Sequence, residues 1–396
     1  MVVKVSRADV IAFRLAAHHL VDRLDDRSLL AAAGACGVQD SPPGSALLAL
    51  HARVRDLTQD RLRCAIAEDK VVLQSWCMRG APYCFPTSDA PVFTDGVLPP
   101  TEHAMRQLIL GVGPSLDELG LSLTETVALF GTEIRAVLAG RQLAIDELGK
   151  ELAAAVADQL SARQRTSWRR EGPYAAGQPL GEAIAHFCLR ILTLQGMVCF
   201  APRAGSKAPF VLVDEWLGSP FPDLDPDSVR ADLLRRYLHC YGPSTRPDFA
   251  AWLGVRAGDA GPWWDLVESE LTQVDAGRRA WVLTKDLDDL QSPPEPHGVR
   301  LLPPRDPYIQ LRDRETIVDK QHHREVWKTA GDPGTILVDG AIAGTWRPRK
   351  SGRRLTVTVR PLGSLADQDR TRLQAEAELI APLRGASSVD VRIDLP

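Results

Sequence analysis

The dipeptide Gly242-Pro243 constrains this chain more than any other feature, because it separates two segments that each read as a helix. Pro226-Asp227-Ser228 opens the first, which runs through ADLLRRYLHCY; Gly and Pro stop it, and Thr245 restarts a shorter one through DFAAWLGV. Two helices joined by so short a connection must cross as a helix-turn-helix. A third helix, PWWDLVESEL, and the alternating strand WVLTK follow. An acidic, proline-rich stretch from Asp286 to Pro296 then reads as a linker.

The same order recurs upstream. Ser6 caps a helical pattern that continues, through a second helix from Asp26, to near Gly34. After the break at Ser41-Pro42-Pro43-Gly44, a helix is expected over about Ser45 to Ala65 and a strand over VVLQSWCMRG. Helix, helix, helix and strand is the order of a winged helix. In the next stretch Ser122 or Thr124 caps a helix through Leu138, Leu143 to Leu160 gives another, and a helix from Leu180 to Leu194 leads into the strand MVCFAP. No residue-level repeat accompanies this recurrence. Beyond the linker the texture changes: TILVDGAIAGTWRPR and RRLTVTVRPL read as two strands joined by a basic turn, before an amphipathic helix from about Leu365 to Leu383.

The reading is therefore an α+β chain with three tandem winged helix-turn-helix units and a C-terminal β-rich, barrel-like domain. Its expected boundaries are 1–114, 115–205, 206–292 (helix-turn-helix at 228–254) and 293–396. A length of 396 residues suits several domains rather than one core. With 44% hydrophobic and 25% charged residues, neither wholesale disorder nor membrane insertion fits, and no apolar run approaches the roughly 18 residues of a spanning helix. The N-terminus lacks the uninterrupted apolar stretch of a signal peptide, so a cytoplasmic protein is expected. The seven cysteines are scattered and never spaced as CxxC, which argues against a disulfide framework and structural zinc; they read as small buried hydrophobes. No metal and no cofactor is expected. Adjacent His322 and His323, with Asp319, look superficially like ligands, but neighbouring histidines point apart and a solvated helix end accounts for them.

A formal net charge of −4 means that any nucleic-acid binding rests on local patches. The strongest is the hairpin tip with Arg347, Arg349, Lys350, Arg353 and Arg354, free of acidic residues and suited to phosphate contact. A second cluster, SARQRTSWRR, contributes Arg165 and Arg169. At the helix-turn-helix, Thr245 and Arg246 open the second helix, where groove contacts are made, although Asp248 would repel phosphate. Such a motif also serves as scaffolding.

Three stretches carry a resemblance: LLRRYLHCYGPSTRPDFAAWLGV, QSWCMRGAPYCFP, and LLPPRDPYIQLRDRE together with ILVDGAIAGTWRPR. Taken in chain order, with QSWCMRGAPYCFP first, they resemble the AlkZ/YcaQ-like family of winged-helix DNA glycosylases, whose first wing usually reads W-x-M-R-G-T-x-H. Here Ala81 and Tyr83 stand in for that Thr and His. The resemblance implies a concave basic surface for double-stranded DNA, built by three winged-helix units, and excision of bulky N7-alkylated purines by a monomer. It also implies cleft-lining roles for Arg79, Asp306 and Arg312, with Asp306 expected to pair internally with Arg312 or Arg314.

The family's active-site motif is Gln-Φ-Gln or Gln-Φ-Asp, with Φ apolar, and the matching stretch is Gly37-Val38-Gln39-Asp40-Ser41. An N7-alkylated guanine is cationic, so its glycosidic bond needs little acid catalysis. An amide that positions water and a group that stabilises an oxocarbenium-like sugar suffice. Gln39 would accept a hydrogen bond from that water, with Ser41 or Asp40 assisting. Serine is too short and too weak a base to replace the second amide directly. The residues alone also fit a helix-terminating turn in which Asp40 and Ser41 bond local backbone groups. Two functions follow: a monofunctional DNA glycosylase, or a catalytically silent DNA-binding protein such as a damage sensor or transcriptional regulator.

Overall fold

Proline supplies the first-turn φ without an orphan N–H, and the first helix of the central segment spans Pro226–Tyr241. It ends at Gly242, where a Cβ would lie 2.3 Å from the Leu238 carbonyl oxygen; only glycine fits. The next helix, Arg246–Leu253, is pinned by aromatic packing, with the Tyr237 ring 5.1 Å from Phe249 and 5.0 Å from Trp252. A buried arginine secures the turn between them. Arg14 donates to the carbonyls of Gly242 (3.0 Å) and Pro243 (2.9 Å) and to Asp313 (2.8 Å).

The computed structural model describes residues 3–203, 207–328 and 330–394. It is a mixed helix-and-strand protein that divides into two compact units. The first comprises Met1–Arg63, Leu234–Trp252 and Val267–Pro396, the second Cys64–Leu233 and Leu253–Leu266.

In the first unit, helix Arg7–Ala17 starts with the Ser6–Asp9 capping box, which satisfies two orphan backbone donors reciprocally. The expected helix over Ser45 to Ala65 is instead two, Ser45–His51 and Gln59–Ala67. The break arises because Val54 bridges to Leu24 and Asp56 takes φ 52°, neither compatible with a continuing helix. Leu271–Asp275, part of which reads as helix in the sequence, is a strand. It pairs with Arg279–Leu283 and, in parallel, with Val3–Lys4.

The C-terminal part is a five-stranded sheet in the order Ser388–Ile393, Arg354–Pro361, Ala341–Ser351, Gly334–Val338, Val299–Leu302. TILVDGAIAGTWRPR contributes two of these strands, reversed at Asp339-Gly340, whose φ angles of 44° and 87° are those of a tight hairpin turn. The expected barrel-like closure is absent among the described residues. Helix Asp367–Leu383 covers one face with Leu373, Ala377 and Ile380, and an open sheet buries its apolar side without closing. Trp346 anchors that core. Its Nε1 donates to the Leu302 carbonyl at 2.8 Å, and a Cβ on Gly334 would come within 2.3 Å of the same nitrogen.

The second unit holds the hairpin Val72–Trp76 with Pro82–Pro86 and the helices Leu123–Leu138, Ile145–Ala157, Ala162–Arg169 and Leu180–Leu194. Ser122 caps the Leu123–Leu138 helix in a capping box with Glu125. A second hairpin, Val198–Phe200 with Phe210–Leu212, packs its phenylalanines edge-on against Trp76. No helix among the described residues is long and apolar enough to cross a membrane.

Candidate active site and nucleic-acid interface

Gln39 ends a two-residue strand, Val38–Gln39, and is 3% exposed. Its Oε1 accepts a 2.9 Å hydrogen bond from Nε2 of Gln310, which also donates to the Arg305 carbonyl at 2.8 Å. One of the two Oε1 lone pairs is thereby used, and among the described residues the Gln39 NH₂ has no protein partner. The sequence motif therefore presents an amide whose oxygen is oriented by a second amide from a distant segment.

What holds Gln310 is a buried ion pair. Asp306 caps the 3₁₀ turn Pro307–Gln310 by accepting from the Tyr308 N–H at 2.9 Å. Both its carboxylate oxygens accept from the Arg53 guanidinium at 2.8 Å, with both side chains essentially inaccessible. Burial opposes the charge on Arg53, but the attraction of Asp306 outweighs it and raises the guanidinium pKa above its ordinary value. The expected partners Arg312 and Arg314 do not pair with Asp306, since Arg53 reaches it from the chain after helix Ser45–His51. Arg314 instead lies over the Trp327 ring at 4.7 Å. Arg312 lines a cavity of about 600 Å³ together with Arg7, Arg14, Arg278 and Lys320.

Asp40 is buried and accepts from the backbone N–H groups of Gly44 (2.8 Å) and Ala46 (3.1 Å) at the start of helix Ser45–His51. Ser41 precedes a cis peptide to Pro42. Both residues thus belong to the turn that leads into that helix. Leu48 of the helix joins the apolar core of the C-terminal sheet, alongside Trp346.

The sheet presents the basic hairpin. Arg347 pairs across to Thr358, Arg349 to Thr356 and Lys350 to Leu355, and Gly352-Arg353 form the tip. Arg347, Arg349 and Arg354 share the face opposite the helix, and Lys350 and Arg353 are exposed with them. Arg347 also donates to the Gly331 carbonyl. The SARQRTSWRR cluster is less available than its sequence suggests. Arg165 caps the end of helix Ile145–Ala157 by donating to the carbonyls of Ala157 and Leu160, Arg170 pairs with Glu118, and Arg169 is exposed.

Thr245 and Asp248 form the N-terminal cap of helix Arg246–Leu253, Arg246 is exposed, and the charge of Asp248 is met by Arg278 at 2.7 Å. Arg79 has φ 57°, donates to the buried Tyr83 hydroxyl at 3.3 Å and packs over Gly254 within the second unit. His322 contacts Glu325 and His323 the Val318 carbonyl, so the pair does not converge.

The buried arginine–aspartate bridge thus braces an amide pair in the first unit, whose C-terminal sheet also carries the basic hairpin. The chain belongs to the AlkZ-like DNA glycosylase family, whose model matches residues 32–383. It is 28% identical, over 98% of its length and 100% of the relative's, to an interstrand DNA cross-link repair glycosylase of Streptomyces sahachiroi. The solved structure of the Streptomyces sahachiroi DNA glycosylase AlkZ matches 99% of this chain and 100% of its own, with a TM-score of 0.75 at 24% identity, a likeness of fold.

Proposed function

We propose that this protein hydrolyses the N-glycosidic bond of bulky N7-alkylated purines in double-stranded DNA, as a monofunctional glycosylase. The observation that carries the reading is the Gln39–Gln310 amide pair, positioned by Asp306 and Arg53. Gln310 fixes the Gln39 carboxamide, so its NH₂ and the remaining Oε1 lone pair have a defined direction for water and sugar. The cationic lesion supplies the leaving-group activation, and the protein supplies orientation and stabilisation of the oxocarbenium-like sugar. Gln310 takes the supporting part for which Ser41 is too short. Asp40 acts mainly through the turn that it holds.

The three helix-rich segments at 1–114, 115–205 and 206–292 are read as winged-helix units, and 293–396 as the C-terminal domain bearing the hairpin. Arg347, Arg349, Lys350, Arg353 and Arg354 meet the DNA backbone, with Arg169 and Arg246 as further contacts. Arg165 and Thr245 act as caps. Arg79 in the second unit and Arg312 in the first are each read as DNA-facing. The protein works as a cytoplasmic monomer.

Incubation with duplex DNA carrying N7-methylguanine or a bulky N7 adduct should generate abasic sites. Gln39→Ala should abolish them. Binding without base release would favour a catalytically silent DNA-binding protein, the reading to which the serine at position 41 points.

A further inference from the structure

His18, Cys36 and Cys240 come from three separate stretches of the first unit, yet their ligand atoms lie within 4.8 Å of one another. All three are buried, at 1%, 4% and 0% exposed. His18 Nδ1 is 3.9 Å from Cys36 Sγ, and His18 Nε2 has no hydrogen-bond partner among the described residues. An imidazole this deeply buried without a conventional partner is costly. The rings of Tyr241 and Tyr308 hold it edge-on at 5.0 and 5.6 Å.

We propose that His18, Cys36 and Cys240 form a binding site for a thiophilic divalent cation of the zinc class. Donors on a tetrahedral zinc stand about 3.5–3.8 Å apart, so the 3.9 Å His18–Cys36 separation and the 4.8 Å bound on all three atoms lie within about 1 Å of that spacing. Sulfur and imidazole nitrogen select against calcium and magnesium, which take oxygen.

Charge decides between the remaining ions. Two thiolates, a neutral imidazole and a divalent cation sum to zero, which a buried site tolerates. A monovalent copper on the same three donors would leave the site itself with a net negative charge. The Tyr241 hydroxyl donates to the Pro307 carbonyl at 2.8 Å and lies 3.7 Å from Cys36 Sγ, beside the three donors.

Such an ion would tie the end of helix Arg7–Ala17 and helix Pro226–Tyr241 to Cys36, three residues before Gln39. Its role is to fix the strand that carries the amide, and the site stands whether or not the chain excises bases.

The full chain, purified without chelator and dialysed against zinc, should retain about one zinc per molecule by mass spectrometry of metals. Cobalt in its place should give thiolate-to-cobalt charge-transfer absorption. Cys36→Ser/Cys240→Ser should lose both signals, whereas Cys188→Ser, a buried thiol in the second unit, should keep them. Should the double variant fail to fold, the cobalt spectrum of the unaltered protein and a fall in its Tm on chelation carry the test. Less than about 0.1 zinc per folded chain, with no cobalt–thiolate absorption, would overturn the proposal. A Cys36–Cys240 disulfide in the freshly purified protein would overturn it as well.

Discussion

Replacing Asp306 by Asn tests the bracing of the amide pair. Asn is nearly isosteric and its Oδ1 still accepts the Tyr308 N–H, so the change removes charge rather than shape. What it leaves behind is the Arg53 guanidinium, 2% exposed, with two charge-assisted bonds of 2.8 Å weakened and, among the described residues, the Ala49 carbonyl as its other acceptor. Breaking a buried pair from one side costs about 3–5 kcal/mol, because the surviving charge is uncompensated. Urea unfolding followed by circular dichroism should show a loss of that size. The double variant Arg53→Met/Asp306→Asn removes the orphaned charge, and should be less destabilised than the sum of its single variants by about 2 kcal/mol or more. A single-variant loss below about 1 kcal/mol, or strict additivity, would refute the reasoning.

Other consequences are as direct. Alanine at Arg349, Lys350 and Arg353 together should weaken duplex binding and lower the slope of log affinity against log salt by up to about 2.7, one phosphate per residue; an unchanged slope would remove the hairpin from the DNA interface. His19, held down to about 4 by burial and then by Arg53, stays neutral in the fold, while the unfolded chain takes up a proton near 6.5. Stability should therefore fall as pH drops from about 6.5 to 4, by about 1–2 kcal/mol after allowance for partial exposure. His19→Asn, which tolerates the φ of 54°, should flatten that dependence in thermal melts, and an undiminished slope would assign it elsewhere.

Local chemistry was legible in the sequence wherever a backbone rule operates alone. Ser6 and Ser122 announce their helices because a hydroxyl followed three residues later by a carboxylate satisfies orphan donors. Gly242-Pro243 announces a stop for steric reasons. Asp339-Gly340 carried an equally good hairpin signal, obscured by the apolar residues on either side. The helix break at Ala52 to Thr58 had no such signal, since it depends on Val54 meeting Leu24 and on Arg53 turning to Asp306.

The candidate site divides in the same way. Gln39 is visible through its motif, but Gln310 lies 271 residues away and only the fold brings its amide to 2.9 Å. Arg165 counts as basic in a sequence scan, yet its guanidinium is engaged by helix-end carbonyls. Cysteine spacing likewise gave no hint that Cys36 and Cys240 meet at His18, since the cluster is assembled from segments more than 200 residues apart.

Single-turnover base release from duplex DNA containing an N7-alkylated guanine, with the unaltered chain compared to Gln39→Ala and Gln310→Ala, bears most directly on the central proposal. Release by the unaltered protein, slowed about 100-fold or more by Gln39→Ala and to a lesser degree by Gln310→Ala, is the predicted result. An unaltered protein that binds the lesion and releases nothing, or a Gln39→Ala variant that keeps the full rate, would contradict it.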